Sequence, residues 1–170
     1  DACGLTSTTT ATFTIEDTTP PTIDVQASDL TVECDGQGNG GDLQTWLDTI
    51  GTTGAASDTC SGVVWTNDFV ALSDDCGMTG SAMVTFTATD DCGNASIASQ
   101  MITIVDTTSP AFVSVPSDYE SDCTAEILDE NAIASDNCSD VTIEVFDNEI
   151  PGLCSGEYTI MRTFIATDDC

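Results

Sequence analysis

Two kinds of side chain in this sequence could do chemistry, and both occur in short recurring turns. Aspartates cluster in turns such as Asp58-Thr59-Cys60 and Asp90-Asp91-Cys92. Carboxylate and backbone oxygens in turns are the ligands that calcium prefers in proteins. The nine cysteines lie 15 to 31 residues apart and none has CxxC spacing. This spacing favours disulfides over a zinc site.

The charge balance excludes several functions. The 170 residues include 30 Asp and Glu, a single basic residue (Arg162) and no His, for a formal net charge of −29. A surface this acidic cannot neutralise phosphate, so we expect no nucleic-acid partner and no direct membrane contact. No His or Lys is present to transfer protons or to activate a nucleophile, so we expect no enzymatic activity.

The composition indicates a folded β protein in an oxidising compartment. Apolar residues make up 40% of the chain, and from Ala82 to Ala88 they alternate with polar residues. A period of two is typical of a half-buried strand. Disulfides persist in oxidising compartments. We therefore expect an extracellular protein, at the cell surface or secreted.

Internal similarity divides the chain. The run Asp17-Thr18-Thr19-Pro20 recurs from Asp106, and Ala88–Cys92 recurs letter for letter as Ala166–Cys170. We call these two matches the Asp17/Asp106 alignment and the Cys92/Cys170 alignment. Together they predict the C-terminal tail of a truncated module at 1–17, a complete module at 18–106, and a second module at 107–170 that lacks its last strand. We call 18–106 the first repeat and 107–170 the second repeat. A longer tandem array is the natural context that this pattern predicts.

Each repeat has the pattern of a β-sandwich. About seven short strands in about 90 residues predict an immunoglobulin-like fold, so the expected class is all-β, with tandem sandwich modules held by disulfides. The first repeat has 11 extra residues between Cys34 and Cys60. Within them, from Asp42 to Gly51, apolar residues share one helical face. We predict a short helical insert there, with Asp42 as its N-cap.

The turns and strands together resemble a known module. The run from Thr85 to Asn94, then a strand, then Asp106-Thr107-Thr108-Ser109-Pro110, resembles the hyalin-repeat (HYR-like) module. In particular it is similar to the cysteine-containing version found in tandem in large surface adhesins of Bacteroidetes, including gliding-motility adhesins. Segments 56–60 and 134–138 fit the same pattern. The resemblance implies an extracellular immunoglobulin-like spacer or adhesive module, often calcium-bound.

Cysteine connectivity is open at this point, because four cysteines allow three pairings. A strand of about 12 residues, roughly 40 Å long, places Cys76 and Cys92 at opposite poles of a module. Cys60 and Cys92 follow similar turns and are expected at one pole. On this basis we predict the bonds Cys60–Cys92, Cys34–Cys76, Cys138–Cys170 and Cys123–Cys154. Cys3 is then left to pair outside this sequence.

The acidic turns predict calcium near each module junction. A chain at −29 is destabilised by self-repulsion unless its carboxylates are neutralised. The candidate ligands are the carboxylates and the amide of these turns: Asp17, Asp58, Asp90, Asp91, Asn94, Asp106, Asp136 and Asp168. The alternative is that these side chains only cap their own turns.

Three threonines are candidate O-glycosylation sites. Thr18, Thr49 and Thr107 each follow an aspartate and precede Thr or Ile, which resembles the Asp-Thr motif glycosylated in Bacteroidetes. Elsewhere in the chain, Trp46 could stack on sugars or pack in the core, and Arg162 is expected to form a structural ion pair.

The function expected from these observations is mechanical. We expect a non-enzymatic repeat of a long extracellular surface protein: a disulfide-stapled, calcium-stiffened stalk or fibre that supports adhesion. Its partners are neighbouring modules of the same chain and other copies in a fibre. One alternative is a ligand- or glycan-binding adhesin module that uses the helix around Trp46. Another is a self-assembling filament subunit whose exposed sheet edges pair between chains.

Overall fold

A computed structural model of the protein describes residues 3–25, 28–50, 56–122 and 125–170. In these segments the chain is mostly β-strand with one helix. The elements in chain order are β1 (Thr22–Ile23), β2 (Leu30–Glu33), α1 (Gly40–Ile50), β3 (Ala56–Ser57), β4 (Val63–Asn67), β5 (Gly80–Asp90), β6 (Ala95–Val105), β7 (Ala111–Ser114), β8 (Ile133–Ser135), β9 (Val141–Pro151) and β10 (Tyr158–Asp168). Over the described ranges, no helix has the length and apolar character needed to cross a membrane.

The first repeat is built on a four-stranded sheet in the order β2-β6-β5-β4. Neighbouring strands are antiparallel except β2, which runs parallel to β6. The alternation predicted for β5 is confirmed: Val84 and Phe86 are 0% and 1% exposed, whereas Met83 beside Val84 is 60% exposed. One face of the sheet is therefore the core face.

Helix α1 packs on that core face. The ring of Trp46 meets the ring of Phe86 edge to face, with centroids 5.6 Å apart, and Leu43 and Leu47 pack against the same cluster. The structure confirms that the predicted insert is a helix. It starts earlier than expected, at Gly40, so Asp42 lies inside the first turn and accepts a hydrogen bond from Asn39 instead of capping the helix. Gly51 lies outside the described residues.

The second repeat contains the sheets β7–β8 and β9–β10. Their pairing follows the two sequence alignments. The first-repeat pairs Thr22↔Ser57 and Val63↔Asp90 recur as Ala111↔Ser135 and Val141↔Asp168. The repetition in sequence is thus also a repetition of strand register.

The architecture is mostly β, which agrees with the predicted all-β class. The described residues form one four-stranded and three two-stranded sheets, and α1 packs on the larger sheet. A two-sheet immunoglobulin-like sandwich stays a prediction.

Arg162 forms the expected ion pair across β9 and β10. Its Nε and Nη2 each donate to one oxygen of Asp147, both at 2.8 Å, and Nη1 lies 3.5 Å from Asp129. Hydrogen bonds from Arg162 hold the pKa of Asp147 below its ordinary value. In the Cys92/Cys170 alignment Arg162 occupies the position of the buried Val84. An ion pair therefore stands in the second repeat where the first repeat has a fully buried apolar side chain.

The disulfides join the two repeats and do not close within each. Cys34 is bonded to Cys138 and Cys76 to Cys170, with Cα–Cα distances of 6.0 and 5.5 Å. The predicted bonds Cys34–Cys76 and Cys138–Cys170 are therefore wrong in this structure. Each of these cysteines meets its partner across the junction between repeats, a contact that reasoning within one module does not consider.

The remaining predicted pairs are also unbonded or undescribed. Cys60 and Cys92 carry exposed thiols, so the predicted bond between them is absent. They do flank neighbouring turns, because the Asp91 N–H donates to Ser61 Oγ at 3.3 Å. Cys123 lies outside the described residues, so the predicted Cys123–Cys154 bond is not described.

Candidate functional site

In the described structure, the junction between the repeats combines a disulfide, hydrogen bonds and apolar packing. The segment after β2 and the turn before β5 meet the turn at 136–139 of the second repeat. Met78 N–H donates to the Cys138 carbonyl at 2.8 Å, and Asn137 Nδ2 donates to the Cys34 carbonyl at 2.9 Å. The Cys34–Cys138 bond is 3% exposed at each residue and packs against Ile104. Covalent, polar and apolar contacts thus act on the same few residues.

Glycines allow the two repeats to approach this closely. Gly77 has φ +54°, and a Cβ built there would collide with the Cys138 carbonyl and lie 2.6 Å from Ser139 Cβ. A Cβ built on Gly36 would lie 2.6 Å from the Asn137 carbonyl oxygen. At both positions a side chain would separate the repeats.

Replacing Gly77 by alanine is expected to weaken the junction. Positive φ costs an alanine about 1–2 kcal/mol, and the collision with the second repeat adds a further overpacking cost of about 1–3 kcal/mol. Gly93→Ala is the matched control, because Gly93 also has positive φ but nothing within 4 Å of its built Cβ. Urea unfolding should show the larger loss for Gly77→Ala, and hydrogen exchange should show faster exchange of the Met78 amide in that variant only. Equal losses would contradict a close glycine contact.

Glu33 ties the start of the second repeat to the first. Its Oε1 accepts hydrogen bonds from the Thr107 N–H at 2.8 Å and from Thr108 Oγ1 at 2.9 Å. Its Oε2 accepts one from Thr107 Oγ1 at 2.8 Å. These hydrogen bonds, led by the Thr107 N–H, hold the pKa of Glu33 below its ordinary value.

The lowered pKa of Glu33 predicts that the protein loses stability in acid. A carboxyl group whose pKa is lower in the folded state stabilises the fold fully above its unfolded pKa. That stabilisation is lost as the pH falls through the folded pKa. Glu33→Gln removes this contribution, so the gap in melting temperature between wild type and variant should be present at pH 7 and close below the folded pKa of Glu33. A gap that does not change with pH would contradict the assigned role of the carboxylate.

Two groups of acidic residues lie at matching positions in the two repeats. We call Asp17, Asp58 and Cys60 the first cluster and Asp106, Asp136 and Cys138 the second cluster. Within each, the candidate ligand atoms all lie within 4.8 Å of one another. The clusters are related by the same two alignments that relate the repeats.

One oxygen of each cluster aspartate caps its own turn. Oδ1 of Asp17 and of Asp106 accepts the N–H two residues on, at 3.1 Å in both cases. Oδ1 of Asp58 and of Asp136 accepts the N–H of the following cysteine, at 2.8 and 2.7 Å. The turn-capping alternative therefore holds for Oδ1 of all four residues.

The second oxygen of Asp17 and of Asp106 is the feature that favours a cation site. Oδ2 of Asp17 and of Asp106 is buried and accepts no hydrogen bond from the described residues. A buried polar atom without a partner carries a desolvation penalty, and here the same penalty occurs at both equivalent positions. In the second cluster the Cys138 sulfur is already in a disulfide, so the available donors are oxygens. Oxygen donors suit calcium better than zinc.

The structure places the other predicted ligands outside both clusters. Both oxygens of Asp90 are occupied: Oδ1 accepts the N–H groups of Cys92 and Asn94, and Oδ2 accepts Asn94 Nδ2 at 2.8 Å. Burial acts to raise the pKa of Asp90, but these hydrogen bonds outweigh it and the pKa is lowered. Asn94 Nδ2 also donates to the Asp17 carbonyl at 3.2 Å. Asp90 and Asn94 thus support the backbone beside the first cluster.

Asp91 and Asp168 make other described contacts. The Asp91 N–H donates to Ser61, and Asp168 Oδ1 caps its turn by accepting the Cys170 N–H at 3.0 Å. Neither belongs to the two clusters.

The other candidate residues differ in their accessibility. Thr18 is exposed. Thr49 Oγ1 donates to the Thr45 carbonyl within α1, and Thr107 Oγ1 donates to Glu33. Trp46 is 7% exposed and its Nε1 donates to the Ser28 carbonyl at 3.0 Å. Its ring is thus part of the core and is not a surface for stacking sugars.

Comparison with known proteins gives no match, either to a protein family or to a curated protein sequence. The resemblance to HYR-like modules therefore rests on the repeated motifs themselves.

Proposed function

We propose that this chain is a non-catalytic structural repeat of a long extracellular surface protein, with HYR-like immunoglobulin-like modules forming a stalk or fibre that supports adhesion. One observation carries the proposal. Two disulfides fasten one repeat to the next at a junction that also contains the second acidic cluster, and the first cluster stands at the equivalent position one repeat earlier.

Such a junction is suited to carrying tension. Hydrogen bonds and apolar packing between neighbouring modules give way under load, whereas disulfides across the junction keep its two sides in contact. Two disulfides at different points also restrict rotation of one repeat against the other. A stalk needs both properties.

Calcium would complete the junction. Asp106 and Asp136 of the second cluster, and Asp17 and Asp58 of the first, are the residues that would hold it. The bound cation supplies positive charge to the buried Oδ2 atoms and offsets part of the net charge of −29. Sites in extracellular modules typically bind calcium with dissociation constants of about 10⁻⁴–10⁻³ M.

Small-angle X-ray scattering tests the proposed stiffness. The oxidised protein in millimolar calcium should scatter as one rigid body. Reduction together with chelation should give the profile of two units that move independently. An oxidised, calcium-loaded protein that scatters as two independent units would overturn the proposal. Reduction alone and chelation alone separate the contributions of disulfides and cation.

A further inference from the structure

The pair of turns that joins the second repeat to the first also occurs in the first repeat. In each repeat, two turns that carry a cysteine lie side by side, and we call such a pair of turns a cysteine face. The cysteines are Cys60 and Cys92 in the first repeat and Cys138 and Cys170 in the second. One hydrogen bond of 3.3 Å joins the two turns in both repeats, from the Asp91 N–H to Ser61 Oγ and from the Asp169 N–H to Ser139 Oγ.

The two cysteine faces differ in what covers them. In the second repeat the face lies against the first repeat: Cys138 is 3% exposed, and the two cysteines of the face are bonded to Cys34 and Cys76. In the first repeat Cys60 and Cys92 carry exposed thiols. The same local structure fits the same kind of partner, which is a surface that presents the equivalents of Cys34 and Cys76.

The chain also enters the two repeats in the same way. Asp106 leads into the second repeat and lies in the second cluster with Cys138. Asp17 leads into the first repeat and lies in the first cluster with Cys60. The chain that arrives at Asp106 comes from the first repeat, to which Cys138 is bonded. The segment before Asp17 aligns with the end of the first repeat, which predicts a further repeat on the side where Cys60 is exposed.

We propose that Cys60 and Cys92 form disulfides with the repeat that precedes the first repeat in the same, longer chain. Their partners are that repeat's equivalents of Cys34 and Cys76, because those cysteines bond the matching face of the second repeat. Each bond forms as two thiols give two protons and two electrons to a disulfide oxidant, which is reduced to two thiols. This inference rests on the proposed structural role and makes the disulfide junction continuous along the array.

A repeat bonded on both sides has a short covalent path through it. Tension enters the first repeat at Cys92 and leaves it at Cys76, 16 residues away in sequence, and β5 (Gly80–Asp90) occupies most of that path. Sixteen residues span at most about 55 Å at roughly 3.4 Å per residue. The whole first repeat of 89 residues would span about 300 Å at the same rise. The bonds therefore limit the extension of the repeat about fivefold.

A chain with a duplicated first repeat tests the proposal. Residues 18–106 are inserted a second time between residues 17 and 18 of the 170-residue protein. The added copy carries Cys60→Ser and Cys92→Ser, so that peptides with these two cysteines come only from the original repeat. After oxidation in a glutathione buffer, free thiols are alkylated in denaturant without reduction. We expect the alkylated fraction of Cys60 and of Cys92 to be at least tenfold lower than in the 170-residue protein.

The matched control has two further substitutions in the added copy, Cys34→Ser and Cys76→Ser. It should return the alkylation of Cys60 and Cys92 to the level of the 170-residue protein. Protection that persists in the control, or full alkylation in the duplicated chain, would overturn the proposal. On a non-reducing gel the duplicated chain should run as a single chain. Cross-linked multimers would place the partner cysteines in a second copy and would also overturn it.

The linked peptide of Cys34 and Cys138 in the 170-residue protein separates this inference from the proposed function. If that peptide is present while Cys60 and Cys92 stay alkylated in the duplicated chain, then continuous bonding is wrong and the structural role stands. If that peptide is absent, the junction on which the structural role rests is itself wrong.

Discussion

Replacing Cys34 and Cys138 together by serine is expected to lower the free energy of unfolding by about 3–5 kcal/mol, the range for a disulfide that closes a long loop. The Cys34–Cys138 bond joins residues 104 apart in sequence, so it restricts the unfolded chain strongly. The bond is also buried against Ile104, and polar serine side chains there would remove apolar contacts. Both effects lower the free energy of unfolding of the double variant.

Urea unfolding of the oxidised protein measures this effect. Cys60→Ser is the control, because Cys60 is an exposed thiol and a surface substitution of this kind changes stability by about 0.5 kcal/mol or less. A loss in the double variant no greater than in the control would mean that the bond between repeats does not form. The Cys76–Cys170 bond remains in the double variant and limits the loss of stability, so the double variant should stay folded.

Calcium is expected to raise the melting temperature of the wild-type protein, and the substitution Asp106→Asn is expected to remove the part of that rise contributed by the second cluster. At a calcium concentration 100 times the dissociation constant, one site stabilises the folded state by about 2.7 kcal/mol. The asparagine keeps the side-chain shape and the turn-capping oxygen. It removes the negative charge that the buried Oδ2 would offer to a cation.

Asp140→Asn is the control for this experiment. Asp140 lies four residues from Asp136, is exposed and belongs to neither cluster, so the variant makes the same charge change nearby. Melting curves in chelator and in calcium should show a reduced shift for Asp106→Asn and a full shift for Asp140→Asn. Identical shifts in the two variants would contradict a cation at Asp106.

Local patterns of the sequence were sufficient to predict individual elements of secondary structure. The alternation in β5 and the helical face of α1 follow from burial on one side of one element, and the structure shows both. The repeated motifs also predicted which strands correspond. These predictions required no knowledge of how one element contacts a distant one.

Predicting the disulfides requires knowing which distant elements are in contact. Spacing and strand length placed Cys60 and Cys92 near one pole but could not show that Cys34 and Cys76 face another repeat. The internal repeat contains a relevant pattern. If a module bonds to the next one, equivalent cysteines must have equivalent partners one module away, and the matched spacing of Cys60, Cys76 and Cys92 with Cys138, Cys154 and Cys170 is compatible with that pattern.

For a similar reason, the sequence predicted the members of the acidic clusters only in part. Aspartates in turns are common ligands and common caps, and the sequence alone does not say which oxygen remains available. At Asp90 the neighbouring Asn94 occupies the second oxygen, whereas at Asp17 and Asp106 that oxygen is buried without a partner. The difference depends on the packing of distant segments.

Single-molecule force extension of the oxidised and reduced protein, pulled by its two ends, tests the central claim most directly. With Cys34 bonded to Cys138, force bypasses the intervening chain. Reduction should therefore lengthen the fully unfolded molecule by the 104-residue separation of the bond, or about 350 Å at roughly 3.4 Å per residue. Bonds within each repeat would give a gain of only about 250 Å at the same rise. A gain near that smaller value, or no gain, would contradict a stalk whose repeats are joined to each other by disulfides.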